Sequence, residues 1–532
     1  MPAICSDWLH KANLPRRIPL PAQVGGVKIA DRAVLSGAVA VPRIVAAKQL
    51  RPRLRWTCLA ALLASLLLPA SASAHGIVGR ADLPIPAWLF AWTATAVMVI
   101  SFVALSSLWS RPRLQRPPGR VLLRIPRIVE WLCGGIGIAL FAIVAYAGLA
   151  GEQNLTSNLA PTFIYVIFWV AIPIASALVG DIFRPFNPWR AVGRLTGWLL
   201  AARGSRSVGP RRGPLFGSHP PSWGRWPAAA LLLCFAWLEL VLPLPGKDEP
   251  RLLAILMLAY GTLQLAGMAA FGVEAWCERA DGFGVYFGLM ARLSPLSWRV
   301  RELRLRAPLS GLCDLEPWPG TAAVLFVLIG STSFDGFSNG EVWVQFAPPL
   351  ESDFGHLGLS LTGAIEIVGT VGLLFCVAAV AGLYNLGIYG MRSALRDITA
   401  EDHRALSLTF LHTLVPIAFG YMLAHYFSLL VLQGQAIGYL ISDPLGRGSD
   451  LFGTSNLLVN YNLISFAVIW YVQIAAIVAG HVSGLILSHE RGLVEFKSPE
   501  AAVRSQYWML AIMVGFTCLA LWILSAVTTT TG

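Results

Sequence analysis

The stretch TAAVLFVLIGSTSFDGFSNG (residues 321–340) is apolar over its first ten residues and then turns polar at Ser331-Thr332-Ser333. Whether it crosses a membrane or stops as a half-span decides the topology of everything around it. Apolar segments of about 20 residues, the length that spans ~30 Å of hydrocarbon, recur near 86–108, 129–150, 161–183, 227–245, 251–272, 361–391, 405–432, 462–488 and 507–527. With 319–334, the weakest of the set, they make ten helices.

Loop charge supports ten crossings. If residue 75 is outside, the inside loops are 109–127, 184–226, 274–318, 392–404 and 489–506, and each is rich in Arg. The outside loops contain only Lys247 and Arg447, with Arg80 in the N-terminal stub and Arg251 at a helix boundary. This is the asymmetry that the positive-inside rule requires, and it places both termini of the membrane domain outside.

Composition agrees. Of 532 residues 56% are apolar and only 13% are charged, and the mean hydropathy is +0.64. Too few charges are present to cover a soluble protein of this size, so the fold class is an all-α polytopic transmembrane helical bundle. The net charge of +12 has a topological cause, which removes the argument for a nucleic-acid partner. The eight Cys include no C-x-x-C pair. Cys133, Cys234, Cys376 and Cys518 fall inside apolar runs and read as small core residues.

Residues 1–50 are basic, rich in Pro and Val, and without sustained helical period; they read as a disordered or mis-assigned extension. Residues 51–74 have the parts of an export signal: Arg51, Arg53 and Arg55, the short apolar run WTCLAALLASLLLPA (56–70), and the small residues Ala72-Ser73-Ala74. Cleavage there makes His75 the first residue of an integral membrane domain, 75–532.

Ionisable residues inside spans are costly and are therefore functional candidates. Counted from the predicted helix ends, Glu239, Glu366 and His425 fall in one layer roughly 8–11 Å below the outer surface. Asp335 stands at the outer end of the sixth helix and His356 in the loop that follows. Carboxylates and imidazole form an acid/base set or a ligand set for zinc or copper. The competing reading pairs Glu239 and Glu366 by interhelical hydrogen bonds and makes His425 a packing residue. A mature N-terminal His75, with its α-amine and ring nitrogen, is a further metal-ligand candidate beside His356 or His425.

A second, inner polar layer holds His412 and His481. Haem ligation by this pair has no C-x-x-C-H support. His489, beside Glu490 and Arg491, reads as interfacial. The chain lacks H-E-x-x-H, P-loop and G-x-G-x-x-G patterns. Its one G-x-S-x-G match, GFSNG (336–340), has no strand before it, so Ser338 reads as part of a polar turn rather than as a nucleophile.

Taken together, AHGIVGRADLPIPAWLF (74–90), GDIFRPFNPWRA (180–191), STSFDGFS (331–338), AHYFSLLVLQGQ (424–435) and AGHVSGLILSHERGL (479–493) resemble a bacterial family of polytopic membrane proteins known as fenitrothion hydrolases. The resemblance covers essentially 74–530. It implies hydrolysis of an organophosphorothioate triester at the P–O–aryl bond, with a small apolar substrate reaching the protein through the lipid. It transfers no catalytic residues. Glu366, Glu239 and Asp335 are the candidates for activating water, with His75, His425 and His356 as metal-ligand candidates. The competing function class is a multi-pass transporter or metal-handling protein that uses the outer and inner polar layers as a path.

Overall fold

The computed structural model describes residues 87–115, 119–202, 215–243, 246–299, 301–393, 400–496 and 499–526. The extension, the leader and His75 lie outside these residues. Along the chain come α1 (Ala87–Leu108), β1 (Arg120–Arg124), α2 (Arg127–Ala150), α3 (Leu159–Val179), α4 (Pro188–Ala202), α5 (Trp226–Leu240), α6 (Pro250–Phe271), α7 (Val273–Arg279) and α8 (Gly282–Ala291). The strands β2 (Leu296–Arg299) and β3 (Glu302–Leu305) follow, then α9 (Thr321–Ser338), α10 (Glu341–His356), α11 (Leu361–Ser393), α12 (Ala400–Phe410), α13 (Leu414–Leu432), α14 (Phe466–Glu495) and α15 (Pro499–Ala526). The chain is an all-α polytopic bundle: among the described residues, nine helices are long and apolar enough to cross a membrane.

The tenth predicted span is shorter than its apolar run. α5 has 15 residues, about 22 Å of helix at 1.5 Å per residue. Pro243 ends it, because a residue preceding proline is driven out of helical conformation. Glu239 therefore stands in the last turn of α5, not six residues below the end of a helix reaching 245.

α9, in contrast, is a full helix of 18 residues. Its polar half is tolerated because α5, α11 and α13 pack around it. The hydroxyls of Thr332 and Ser333 donate back to the carbonyls of Leu328 (3.0 Å) and Ile329 (2.8 Å), so neither is left unsatisfied in an apolar setting.

Two of the loops predicted to lie inside carry more structure than their composition suggests. Part of 109–127 and part of 274–318 form a small antiparallel sheet in the order β1-β3-β2. The remainder of 274–318 turns back into the bundle as α8, where only Gly284 and Gly288 are not fully buried. Its rings complete an aromatic core. Phe283 meets Phe168 at 4.8 Å, Phe287 meets Phe168 at 5.2 Å and Tyr286 meets Trp169 at 5.1 Å between centroids, each pair contributing about 0.5–1.5 kcal/mol beyond area burial. Phe168 and Trp169 belong to a π-helical stretch, Phe163–Ala171, in the middle of α3. Pro173 follows directly. Its missing N–H and its ring disrupt the ordinary i→i−4 ladder there, and Ile172 N–H bonds five residues back to Ile167.

The segment 335–360, predicted to lie outside, is also mostly helical, as α10. His489, predicted to be interfacial, and its neighbour Glu490 are enclosed by other segments, each 1% exposed. Glu490 accepts from Trp109 Nε1 (3.0 Å) and from the backbone N–H groups of Arg113 (2.9 Å) and Leu114 (2.7 Å). His489 Nε2 reaches Trp109 O (2.8 Å) and its Nδ1 reaches Gln506 (3.1 Å). Together these bonds clasp the segment after α1 to α14.

α13 and α14 pack closely along their length. A Cβ on Gly420 would fall 2.5 Å from Ala476 O, and one on Gly480 would fall 2.7 Å from Pro416 O. Small residues let the backbones approach, which drives helix association in lipid. We predict that Gly480→Val lowers the unfolding midpoint of the detergent-solubilised protein by the equivalent of about 1–3 kcal/mol of overpacking. Gly515→Ala, where an added Cβ meets nothing within 4 Å, leaves it within error. Equal midpoints for both variants would remove the close contact from the account.

Candidate functional site

Asp335 and His425 come together where the last turn of α9 meets the middle of α13. The polar tail of α9 brings Asp335 there, and the AHYF run of α13 supplies His425 and Tyr426. Asp335 Oδ2 lies 2.9 Å from His425 Nε2 and accepts from the Tyr426 hydroxyl, also at 2.9 Å. The side chains of His425 and Asp335 are 16% and 18% exposed, so the pair is neither sealed nor freely solvated. Ser338 donates to Asp335 O (3.1 Å), which makes the GFSNG match a helix-end turn.

The hydrogen bond decides the tautomer. A carboxylate facing Nε2 holds a proton on that nitrogen and leaves Nδ1 as the ring acceptor. Such a pair takes a proton from water or from a bound ligand, and the imidazolium that forms is stabilised by Asp335. The Tyr426 phenol shares the same carboxylate oxygen. Glu239 lies within electrostatic reach of Asp335, Lys247 and Asp248, which places a second carboxyl and one cation around the pair.

Other predicted residues stand further away. Glu366 is half-buried in α11; its carbonyl accepts from Thr370 Oγ1 (2.5 Å), which in turn accepts from Trp237 Nε1 of α5 (2.7 Å). It thus stands one turn from the α5–α11 contact, two residues along α5 from Glu239. His356 is exposed at the far end of the 16-residue α10, so nothing in the fold brings it to His425. His412 lies in the 3₁₀ turn between α12 and α13 and bonds through Nδ1 to Thr409 O (3.0 Å). His481 bonds through Nδ1 to Ile477 O (2.9 Å), and its buried Nε2 has no partner among the described residues.

Asp335 and His425 offer two metal donors, but among the described residues no group of three His, Cys, Asp or Glu side chains converges on one point. His75, the further predicted ligand, lies outside the described residues.

Beside the cluster, an apolar cavity of about 410 Å³ runs along α3 and is walled by α2, α5 and α6. Tyr165 and Leu238 line it near Glu239, and Phe183 and Phe186 line its opposite end. Cys234, predicted as a core residue, is one of its exposed wall residues.

Reading the arginines as topology markers overlooked a second polar group, which lies at that opposite end. The two segments that build it, GDIFRPFNPWRA (180–191) and VEAWCERADGFG (273–284), are dense in polar residues, and this density was the available signal. Asp281, fully buried, accepts from Tyr260 Oη (2.7 Å), Trp189 Nε1 (2.8 Å) and Asn187 Nδ2 (3.0 Å). Glu274 accepts from Arg190 (2.8 Å), Arg194 (2.9 Å) and Arg184 (3.2 Å). Burial alone would raise the Glu274 carboxyl, but the hydrogen bond and charge of Arg190, with Arg194 and Arg184, hold it below its ordinary value.

A carboxyl depressed in the folded state contributes stability that is full above its unfolded pKa and is lost as pH falls through the lower folded value. The protein is therefore expected to lose melting temperature as pH is lowered below the ordinary Glu value of 4.5, and Glu274→Gln to flatten part of that decline. Identical slopes for the two proteins would contradict the arginine clamp. Comparison with protein-family models, with curated proteins and with solved structures gives no match to this chain.

Proposed function

We propose that the chain is a membrane-embedded hydrolase of small neutral organophosphorothioate triesters of the fenitrothion type, cleaving the P–O–aryl bond to release 3-methyl-4-nitrophenol and dimethyl thiophosphate. The observation that carries the reading is the hydrogen-bonded Asp335–His425–Tyr426 group at the outer end of α9. An aspartate-oriented imidazole is a general base, and this one keeps a partly exposed side chain, 16%.

In this reading the substrate partitions into the bilayer and approaches laterally, with Tyr165 and Leu238 offering an apolar surface near Glu239. His425 Nδ1 takes a proton from water as its oxygen bonds to phosphorus, and the aryl oxide leaves. The proton then passes to the departing phenolate or to solvent. Asp335 holds the ring and stabilises its charge. Glu239 is placed to relay a proton, while Glu366 lies outside the reacting group. The resemblance of five sequence stretches to fenitrothion hydrolases supports the substrate class.

The rival function, a transporter or metal-handling protein, draws on one observation: the buried, unpartnered Nε2 of His481, in the helix packed against α13. Washed membranes carrying the chain separate the two. Wild type is expected to release nitrophenol above vector controls; His425→Ala lowers the rate by roughly 100-fold or more, the usual contribution of a general base. Asp335→Asn lowers it as well, and Glu366→Gln leaves it within a few-fold. Chelator treatment is expected to leave the wild-type rate unchanged. No release from wild-type membranes would overturn the hydrolase reading, and full activity in His425→Ala would overturn the site.

A further inference from the structure

A polar cavity of about 330 Å³ lies where the segments 181–190, 274–292 and 316–318 meet. It is lined by Arg184, Arg190, Arg225, Arg279 and Arg292, and most of these have partners. Arg190 and Arg184 are held by Glu274, with Glu278 also on Arg184. Arg279 lies 3.8 Å over the ring of Trp318, and Arg292 donates to the carbonyls of Gly311 and Asp314.

Arg225 differs. It is 8% exposed, donates from Nη1 to Thr321 Oγ1 (3.1 Å), and its Nε has no partner among the described residues. No carboxylate of the described residues lies within ion-pair distance of it. Burial and the neighbouring charge of Arg292 lower its pKa to about 10, so it remains a cation at neutral pH. Burying a cation without an anion costs several kcal/mol, and a planar guanidinium fork matches a phosphate.

Five arginines face four carboxyl groups, Asp181, Glu274, Glu278 and Glu316, in the wall, and Glu274 and Glu278 are engaged with Arg184 and Arg190. α8 presents Gly284 and Gly288 to the space, and a Cβ on Gly288 would meet only Asp181 Oδ2 at 4.0 Å. The room is therefore real and is not filled by side chains.

An apolar cavity adjoins this one. Phe183 lines both this space and the 410 Å³ groove along α3. The polar cavity stands at the arginine-rich end of the bundle, just past the end of α3 at Val179, the level at which lipid headgroups lie. A charged pocket at headgroup depth, with an apolar groove on the other side of Phe183, matches the two halves of one amphiphile.

We propose that this pair of cavities binds an anionic phospholipid, its phosphate on Arg225 and its acyl chain in the groove past Phe183. The site is separate from the Asp335–His425 group, and binding does not depend on the hydrolase reading.

The test uses the full chain in neutral detergent, with native mass spectrometry to count bound lipid. The probes are dioleoyl phosphatidate, dioleoyl phosphatidylcholine and inorganic phosphate. One phosphatidate is expected per chain, preferred over phosphatidylcholine by ~10-fold or more, with inorganic phosphate failing to displace it at equal concentration. Arg225→Gln weakens phosphatidate binding by at least ~10-fold. Because that change also removes the Thr321 bond, Gly288→Val serves as a second variant: it fills the cavity, keeps every charge, and is expected to weaken binding while leaving the melting temperature unchanged. His425→Ala binds lipid as wild type does, even though it disables hydrolysis. Equal retention of phosphatidate and phosphatidylcholine, undiminished binding in a folded Gly288→Val, or displacement by inorganic phosphate would overturn the proposal.

Discussion

A charged or polar side chain inside an apolar bundle needs a partner, and the fold depends on the places where one helix supplies that partner to another. Asp335 of α9 is satisfied by His425 and Tyr426 of α13. Asp281, at the start of α8, is satisfied by Tyr260 of α6 and by Asn187 and Trp189 ahead of and within α4. Glu490 of α14 is satisfied by the segment after α1. Apolar surface alone gives little preference between one helix pairing and another in lipid, because the acyl chains are as apolar as leucine. These bonds therefore set which helices are neighbours, while glycine contacts such as Gly420 with Gly480 set how close they come.

The clasps differ in what they leave open. Glu490 and Asp281 each accept three hydrogen bonds from neighbouring groups and are almost wholly enclosed, so their role is to fix position. The Asp335–His425 pair retains an exposed edge and an imidazole nitrogen able to accept a proton. That difference between saturated and unsaturated polar groups is the physical basis for assigning chemistry to one and architecture to the others. Arg225 also falls on the unsaturated side, at the opposite end of the bundle.

Much of the bundle was legible because spanning length and loop charge are strong signals. The limits were equally physical. Hydropathy saw the apolar run 227–245 but not that Pro243 would stop α5 at Leu240. It saw 274–318 as an arginine-rich loop, although GFGVYFGLMA (282–291) is apolar throughout and its ten residues, too few to span, fold back as a buried helix. His425 and Asp335 were legible as candidates from depth alone. Their direct hydrogen bond was not, since counting along helices fixes depth but not which helices touch. His489 read as interfacial because Glu490 and Arg491 flank it, and local composition could not show its partner, Trp109, 380 residues away along the chain.

The central claim is that His425, oriented by Asp335, activates water for direct attack on phosphorus. Hydrolysis in ¹⁸O-labelled water under single-turnover conditions, with enzyme in excess and products read by mass spectrometry, tests it most directly. The account predicts one solvent oxygen in the dimethyl thiophosphate of the first turnover and none in the nitrophenol. Label in the nitrophenol, or unlabelled thiophosphate in that first turnover, would contradict it.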